Sequence, residues 1–195
     1  MTHITPLNRD DLQDLEPLLA MVEASMGFVP TSMLTMAHWP ELLKSFNGLG
    51  ATILGSGEVD PGLKQLVAFV VSNAAGCRYC QAHTSHMAKK RGVSLEKINA
   101  SFEFETSPLF SAAEQAALRV ALHAGMVPNA VEPEHMAALR EHFSEKQVVE
   151  IVSVISFFGY LNRWNDTMAS SLEAAPKAWG NEQLAAKGWT AGKHD

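Results

Sequence analysis

The sequence predicts an all-α protein. Apolar residues recur at spacings of three and four through most of the chain, which is the period of an amphipathic helix. Capping boxes that begin at Ser111 and at Ser144 mark two helix starts, and no segment shows the alternation typical of strands. Apolar residues make up 47% of the 195 residues and charged residues 18%. This composition excludes a disordered chain or a coiled coil and predicts helices around one buried core.

Caps and breakers predict where each helix begins and ends. Asp60 followed by Pro61 is typical of a helix start, and the segment after it is apolar on nearly every side, which predicts a central helix. Glycines at 48, 50, 55 and 57 predict a loose turn before Asp60. The predicted helices cover residues 8–22, 32–38, 40–49, 61–75, 77–90, 94–100, 111–122, 133–142 and 144–160.

These helices are assigned to one domain over residues 1–175, with its most characteristic part at about 60–92. Residues 176–195 are polar and rich in glycine, and we expect this tail to be ordered only if another part of the molecule holds it. The stretch from Lys64 to Ser72 is similar to the stretch from Lys146 to Val154. Two apolar helices with similar needs, or a duplicated helical hairpin, would each explain this similarity.

Charge and hydropathy exclude several classes of protein. The formal net charge is −6, which argues against a nucleic-acid-binding protein because that function needs a basic surface. No apolar run reaches the roughly 18 residues that a membrane span requires, and the first residues lack the pattern of a signal peptide. We therefore expect a soluble cytoplasmic protein without nucleic-acid or membrane partners.

The two cysteines of the chain, Cys77 and Cys80, form a single CxxC motif. Residues three and four apart share a helical face, so His83 and Thr84 lie on the side of Cys80. A helix start after Gly76, together with a histidine one turn along, favours the thiolate form. A second cysteine at this spacing is able to close a disulfide with the first. The motif therefore indicates a redox-active dithiol.

Two alternatives use the same residues. Zinc ligation by Cys77, Cys80 and His83 needs a fourth ligand, and the sequence offers no second cysteine pair and no HxxxH motif. Two buried, inert thiols are the other alternative. The redox pair is favoured over both, and it requires no metal and no organic cofactor.

The chain up to about Pro176 resembles the alkylhydroperoxidase D-like, peroxidase-related branch of the carboxymuconolactone decarboxylase-like superfamily. The resemblance rests on the Gly-Cys-x-Tyr-Cys core at 76–80, the apolar helix before it, and the segments at 27–30, 38–41 and 158–165. It implies an all-α fold with a duplicated helical unit, assembled as a homo-oligomer.

The resemblance also implies roles for individual residues. Cys80 would attack a hydroperoxide and Cys77 would resolve the product to a disulfide. The histidine of the family lies at the position of Thr84, so His83 would take its role from one residue earlier. The relay glutamate of the family lies at the position of Gln65, and glutamine does not carry a proton as a carboxylate does. Other residues considered for a relay or support are His86 on the same helix and Glu150 in the second similar stretch.

We therefore expect a thiol peroxidase-like enzyme that cycles between the Cys77–Cys80 dithiol and its disulfide. A dithiol reductant, thioredoxin-like or a lipoylated protein, would reopen the disulfide. The loss of the relay carboxylate at Gln65 predicts weak activity. The alternatives are a general thiol–disulfide oxidoreductase or redox sensor, and a non-catalytic helical oligomer with structural cysteines.

Overall fold

The computed structural model describes residues 2–55 and 57–195, and within these ranges it contains helices and no strand. None of the helices in this part of the chain combines the length and the apolar character needed to cross a membrane. Ten α-helices follow one another in these residues: α1 Glu16–Met26, α2 Thr31–Met36, α3 Pro40–Leu54, α4 Pro61–Ala74, α5 Arg78–Lys90, α6 Leu95–Ala100, α7 Ala112–Ala124, α8 Pro133–Arg140, α9 Glu145–Met168 and α10 Ala174–Trp179.

The all-α prediction is confirmed, and three boundaries differ from their predictions. Residues 9–15 form two 3₁₀ turns, and α1 begins only at Glu16, because Pro17 is tolerated in the first helical turn and not further along. The prediction of a loose turn from residue 48 onward is wrong for residues 48–54, because α3 continues to Leu54. A Cβ atom at Gly50 would lie 3.0 Å from the ring of Phe157, so this glycine allows α3 to approach α9 closely. Helix α9 extends to Met168 rather than ending near 160.

Helix α4 lies at the centre of the fold, as its apolar character predicts. It packs against α5, α7 and α9, and eleven of its residues are buried. The two similar stretches of sequence lie in α4 and α9, which therefore contact each other in the core. The duplication of a helical unit stays a prediction. A second, smaller apolar cluster joins α1, α2 and α3.

The C-terminal segment, residues 176–195, is held against the rest of the chain. Helix α10 packs on α5, and a π-helical turn at Gly180–Leu184 follows it. The Trp179 indole donates a hydrogen bond to Ser85 Oγ at 3.0 Å, and the Trp189 indole donates one to the backbone carbonyl of Arg78 at 3.1 Å. His194 is completely buried. We expected this segment to be ordered only if another part of the molecule held it, and contacts with α5 hold it.

Candidate active site

The CxxC motif lies where α4 leads into α5, and its last three residues form the first turn of α5. Gly76 has a φ of +76°, a left-handed conformation that glycine adopts without strain, and it turns the chain from α4 into α5. Cys77 is the N-cap of α5, and its Sγ accepts a hydrogen bond from the backbone N–H of Cys80 at 3.5 Å. Both cysteines are buried free thiols. They are therefore in the reduced form, one helical turn apart.

Cys80 is the cysteine that faces a cavity, and its environment favours the thiol. Burial raises the pKa of Cys80 well above its usual range, and the neighbouring sulfur of Cys77 raises it further. The side-chain amide of Asn165, from the C-terminal part of α9, donates a hydrogen bond to Cys80 Sγ at 3.5 Å and opposes this shift. A proton acceptor near Cys80 is therefore needed before the sulfur can act as a nucleophile.

The cavity beside Cys80 has a volume of about 370 Å³ and a largely apolar wall. His83, Gln65, Thr84 and Asn165 are among its polar lining residues. Its size and its mostly apolar lining suit a small, mostly apolar molecule rather than a protein surface. The apolar part of the wall includes Met21, Met26, Met33, Phe46, Met87, Phe157, Phe158 and Leu161.

His83 is paired with a carboxylate from the C-terminal half of the chain. Its Nε2 lies 2.6 Å from Oε2 of Glu173, the residue directly before α10, and both side chains are close to nine-tenths buried. A carboxylate only accepts hydrogen bonds, so His83 carries a proton on Nε2. The Tyr79 ring stacks on the imidazole at 4.2 Å between centroids, and its hydroxyl donates to Glu173 Oε1 at 2.7 Å.

Glu173 is ionised despite its burial. Burial by itself would raise the pKa of this carboxyl, but the charge of His83 and hydrogen bonds from His83, the Thr31 backbone N–H and Tyr79 lower it below the usual value. Sequence reasoning missed this residue, because 90 positions separate it from His83 and it precedes the segment that was expected to be a polar tail. The available signal was a lone glutamate next to the predicted end of the domain.

The structure brings four of the seven predicted site residues to the cavity wall: Cys80, His83, Gln65 and Thr84. Cys77 lies one turn behind Cys80. Thr84 does not replace the histidine of the family chemically, because its hydroxyl donates to the backbone carbonyl of Cys80 at 2.7 Å.

The other two predicted residues lie away from this wall. His86 sits between the rings of Phe28 and Trp179, and burial together with the charge of Lys90 lowers its pKa. Glu150 accepts hydrogen bonds from the backbone N–H groups of Glu58 and Val59, and it forms an ion pair with buried Lys64 at 3.1 Å. The geometry therefore gives Glu150 a role in holding the start of α4.

One group of three side chains in the described residues has the residue types of a metal site. Ligand atoms of Cys77, Asp166 and His194 lie within 4.8 Å of one another. Both ring nitrogens of His194 already face oxygen atoms, of Ser170 and of Asp166, so the ring offers no lone pair to a metal. These residues do not fit a zinc site as they are arranged.

Comparison with known proteins places the chain in a family. Residues 40–123 match the sequence profile of the Carboxymuconolactone decarboxylase family. The protein YdfG of Bacillus subtilis is 31% identical over 104 residues, which are 52% of this chain and 68% of YdfG. The debrominase Bmp8 is 40% identical in sequence to this chain. Two crystal structures of Bmp8 superpose on the chain with TM-scores of 0.87 and 0.88, and the match covers 93% of this chain and at least 97% of Bmp8.

A more distant structure shows the same fold. It is the alkylhydroperoxidase core of a peroxidase-related protein from Ralstonia eutropha, with 21% identity, a TM-score of 0.79, and coverage of 90% of this chain and 94% of that chain. Bmp8 was also crystallised in complex with 2,3,4-tribromopyrrole. The relatives of this chain therefore include an enzyme. On the profile match and the identity to YdfG, the chain belongs to the Carboxymuconolactone decarboxylase family, and its fold is that of alkylhydroperoxidase D-like proteins.

Proposed function

We propose that this protein is a two-cysteine reductase that donates two electrons from the Cys77–Cys80 dithiol to a small, mostly apolar molecule bound beside Cys80. The observation that carries the proposal is the position of Cys80. It lies at the wall of an apolar cavity of about 370 Å³, with a reduced partner cysteine one turn away. An electrophile in the cavity is thus within reach of one sulfur while the other is ready to form the disulfide.

Halogenated aromatic molecules are the substrate class that we favour. The support is the 40% identity to the debrominase Bmp8 over nearly the whole of both chains. In the balanced reaction, the dithiol loses two electrons and two protons and becomes a disulfide. The carbon–halogen bond breaks, halide leaves, and a carbon–hydrogen bond forms with one of the protons. The other proton is released with the halide.

Organic hydroperoxides are the second candidate class, favoured by the placement of His83 and Cys80 on one wall. Here Cys80 would take the terminal oxygen, the O–O bond would break to give an alcohol, and Cys80 would become a sulfenic acid. Cys77 would then displace water to close the disulfide. Both reactions end in the same disulfide and require the same reductant.

His83 has the same role in both reactions. Glu173 holds the proton on His83 Nε2, so Nδ1 is the ring nitrogen left to exchange a proton. We assign to His83 the exchange of a proton with Cys80 or with the leaving group in the cavity. Glu173 thus supplies the carboxylate that the family places at the position of Gln65.

The reductant must reach a buried disulfide. Both cysteines are at most 2% exposed, which disfavours general exchange with disulfides on protein surfaces. A slender dithiol, such as a lipoyl arm, suits this site better than a thioredoxin-like protein surface.

The test compares four oxidants on the fully reduced protein: a brominated pyrrole, a bulky organic hydroperoxide, hydrogen peroxide and a small disulfide. Halide release, peroxide loss and thiol loss are followed in each case. We expect the brominated pyrrole to be reduced fastest and activity to be lost in Cys80→Ser. A protein that reacts with the small disulfide but with neither the pyrrole nor a hydroperoxide would contradict the proposal.

A further inference from the structure

A second histidine–carboxylate pair lies against Cys77, separate from the His83 pair and from the lining of the cavity. It is formed by Asp166 near the end of α9 and by His194 in the C-terminal segment. Cys77 Sγ, a carboxylate oxygen of Asp166 and a ring nitrogen of His194 lie within 4.8 Å of one another. Cys77 and His194 are both completely buried. Nothing in the reaction described above uses this pair.

The hydrogen bonds of His194 define its protonation. Its Nδ1 lies 2.8 Å from the backbone carbonyl oxygen of Ser170, and its Nε2 lies 3.1 Å from Oδ1 of Asp166. A carbonyl oxygen and a carboxylate oxygen both only accept hydrogen bonds. With Asp166 ionised, both ring nitrogens must donate, so His194 is an imidazolium cation. The His194 cation next to the buried Cys77 thiol favours the thiolate, and the Asp166 carboxylate at a similar distance opposes it.

The other groups around Cys77 agree with this assignment. Lys193 Nζ lies 3.5 Å from Oδ1 of Asp166, so the cluster of His194, Asp166 and Lys193 carries a net charge of +1. From α5, the cluster meets the neutral ring of Tyr79 at 5.9 Å from His194, and Cys80 donates its backbone N–H to Cys77 Sγ. An ionised Cys77 makes the whole group neutral, whereas a protonated Cys77 leaves its net positive charge uncompensated.

We propose that His194, held by Asp166 and Ser170, is a positioning residue that keeps Cys77 as a thiolate in the reduced enzyme. The consequence for catalysis rests on the proposed two-cysteine function. His83 exchanges the proton of Cys80, as assigned above, so Cys77 stays a thiolate. In the second step the Cys77 thiolate attacks Cys80 Sγ, the S–S bond forms, and the bond from Cys80 to the halogen or hydroxyl breaks. The leaving group departs as halide, or as hydroxide that takes a proton to become water.

The far side of the pair faces solvent. Asp166 and Lys193 line an open cleft of about 930 Å³, and the side chain of Asp166 is 33% exposed. This cleft shares no lining residue with the apolar cavity beside Cys80, so the Asp166 end of the pair reaches solvent by a separate opening.

The test measures the ionisation of Cys77 and needs no substrate. In the Cys80→Ser protein, Cys77 is the one remaining thiol, and its thiolate is followed by ultraviolet absorbance as the pH is varied. We expect the added substitution His194→Gln to raise the midpoint by at least about one pH unit relative to Cys80→Ser alone, which is a tenfold smaller thiolate-to-thiol ratio. His123→Gln is the matched control, because the His123 ring also bonds to a backbone carbonyl, that of Arg119, and should leave the midpoint unchanged.

A second measurement avoids dependence on the folding of His194→Gln. NMR of the wild-type protein with isotope-labelled histidine should show His194 protonated on both ring nitrogens at neutral pH in the reduced state. A neutral His194 ring in that state, or a folded His194→Gln protein with an unchanged midpoint, would overturn the proposal. One equivalent of zinc bound through His194 would overturn it as well. If no substrate reacts in the turnover assay, the proposed function is contradicted. The thiolate titration and the NMR measurement do not depend on that result, because neither uses a substrate.

Discussion

Replacing Glu173 with glutamine tests the contribution of the carboxylate to His83 and to the fold. Glu173 accepts hydrogen bonds from His83 at 2.6 Å, from the Tyr79 hydroxyl at 2.7 Å and from the Thr31 backbone. Glutamine keeps the shape but lacks the charge, and its NH₂ group faces at least one of these donors. Hydrogen bonds to a charged group contribute about 1.5–3 kcal/mol each, and breaking a buried ion pair costs about 3–5 kcal/mol. We expect Glu173→Gln to lower the free energy of unfolding by about 3 kcal/mol near neutral pH.

The loss should depend on pH in one direction. Since folding lowers the pKa of Glu173 from its reference value of 4.5, the stability from its ionised form is fully present above that value. This stability disappears as the pH falls through the lower folded-state pKa. The difference between wild type and Glu173→Gln should therefore shrink on acidification below about pH 4.5. Denaturant titrations followed by tryptophan fluorescence at neutral and acidic pH measure this difference.

Activity should fall together with stability, because His83 would lose the group that fixes its proton. We expect kcat/KM for the preferred substrate to decrease at least about tenfold. Glu182→Gln is the matched control, since Glu182 is an exposed glutamate of the same C-terminal segment. If Glu173→Gln changes stability and turnover no more than Glu182→Gln does, the assigned role of the pair with His83 is refuted.

Four further substitutions separate the roles of other residues. Gln65→Glu should give no gain in turnover, because Glu173 already supplies a carboxylate to His83; a tenfold gain in steady-state assays would show that the relay position of the family is still needed. Glu150→Gln should lower the free energy of unfolding by about 2 kcal/mol and leave the turnover per folded molecule unchanged. A large loss of turnover would instead show that Glu150 acts in the active site. Gly180→Ala would place a Cβ atom 2.5 Å from the Trp189 ring and should cost about 1–3 kcal/mol in denaturant titrations. Gly159→Ala, where a Cβ atom meets nothing within 4 Å, should instead stabilise helix α9 by roughly 0.5–1 kcal/mol, and equal effects of the two alanines would contradict the packing argument.

The helices were predictable because their signals are local. The Asp60 cap, the first-turn Pro61 and the capping boxes at Ser111 and Ser144 each satisfy backbone groups within a few residues of themselves. The CxxC motif was informative for the same reason, since helical spacing alone places Cys80 and His83 on one side. Local signals therefore predict most of the fold, and within the site they predict Cys77, Cys80 and His83.

The features that sequence reasoning missed depend on distant contacts. Gly50 weakens an isolated helix by about 1 kcal/mol relative to alanine, yet α3 continues through it, and the Phe157 ring packs where a Cβ atom would be. Glu173 and His194 reach α5 only after α9 has returned the chain to the CxxC motif. His83 lies 90 residues from Glu173 in sequence, and Cys77 lies still further from His194. No periodicity in the sequence records such a pairing. A segment that looks like a polar tail therefore supplies two residues next to the cysteines.

The central claim is that the Cys77–Cys80 dithiol reduces a molecule bound beside Cys80, and a single-turnover experiment tests it most directly. The reduced protein is mixed with a limiting amount of brominated pyrrole, and released halide, remaining thiols and the disulfide are quantified by mass spectrometry. The account predicts two thiols lost for each halide released, a Cys77–Cys80 disulfide, and no reaction in Cys80→Ser. Halide release without thiol loss, or at an undiminished rate in Cys80→Ser, would contradict it.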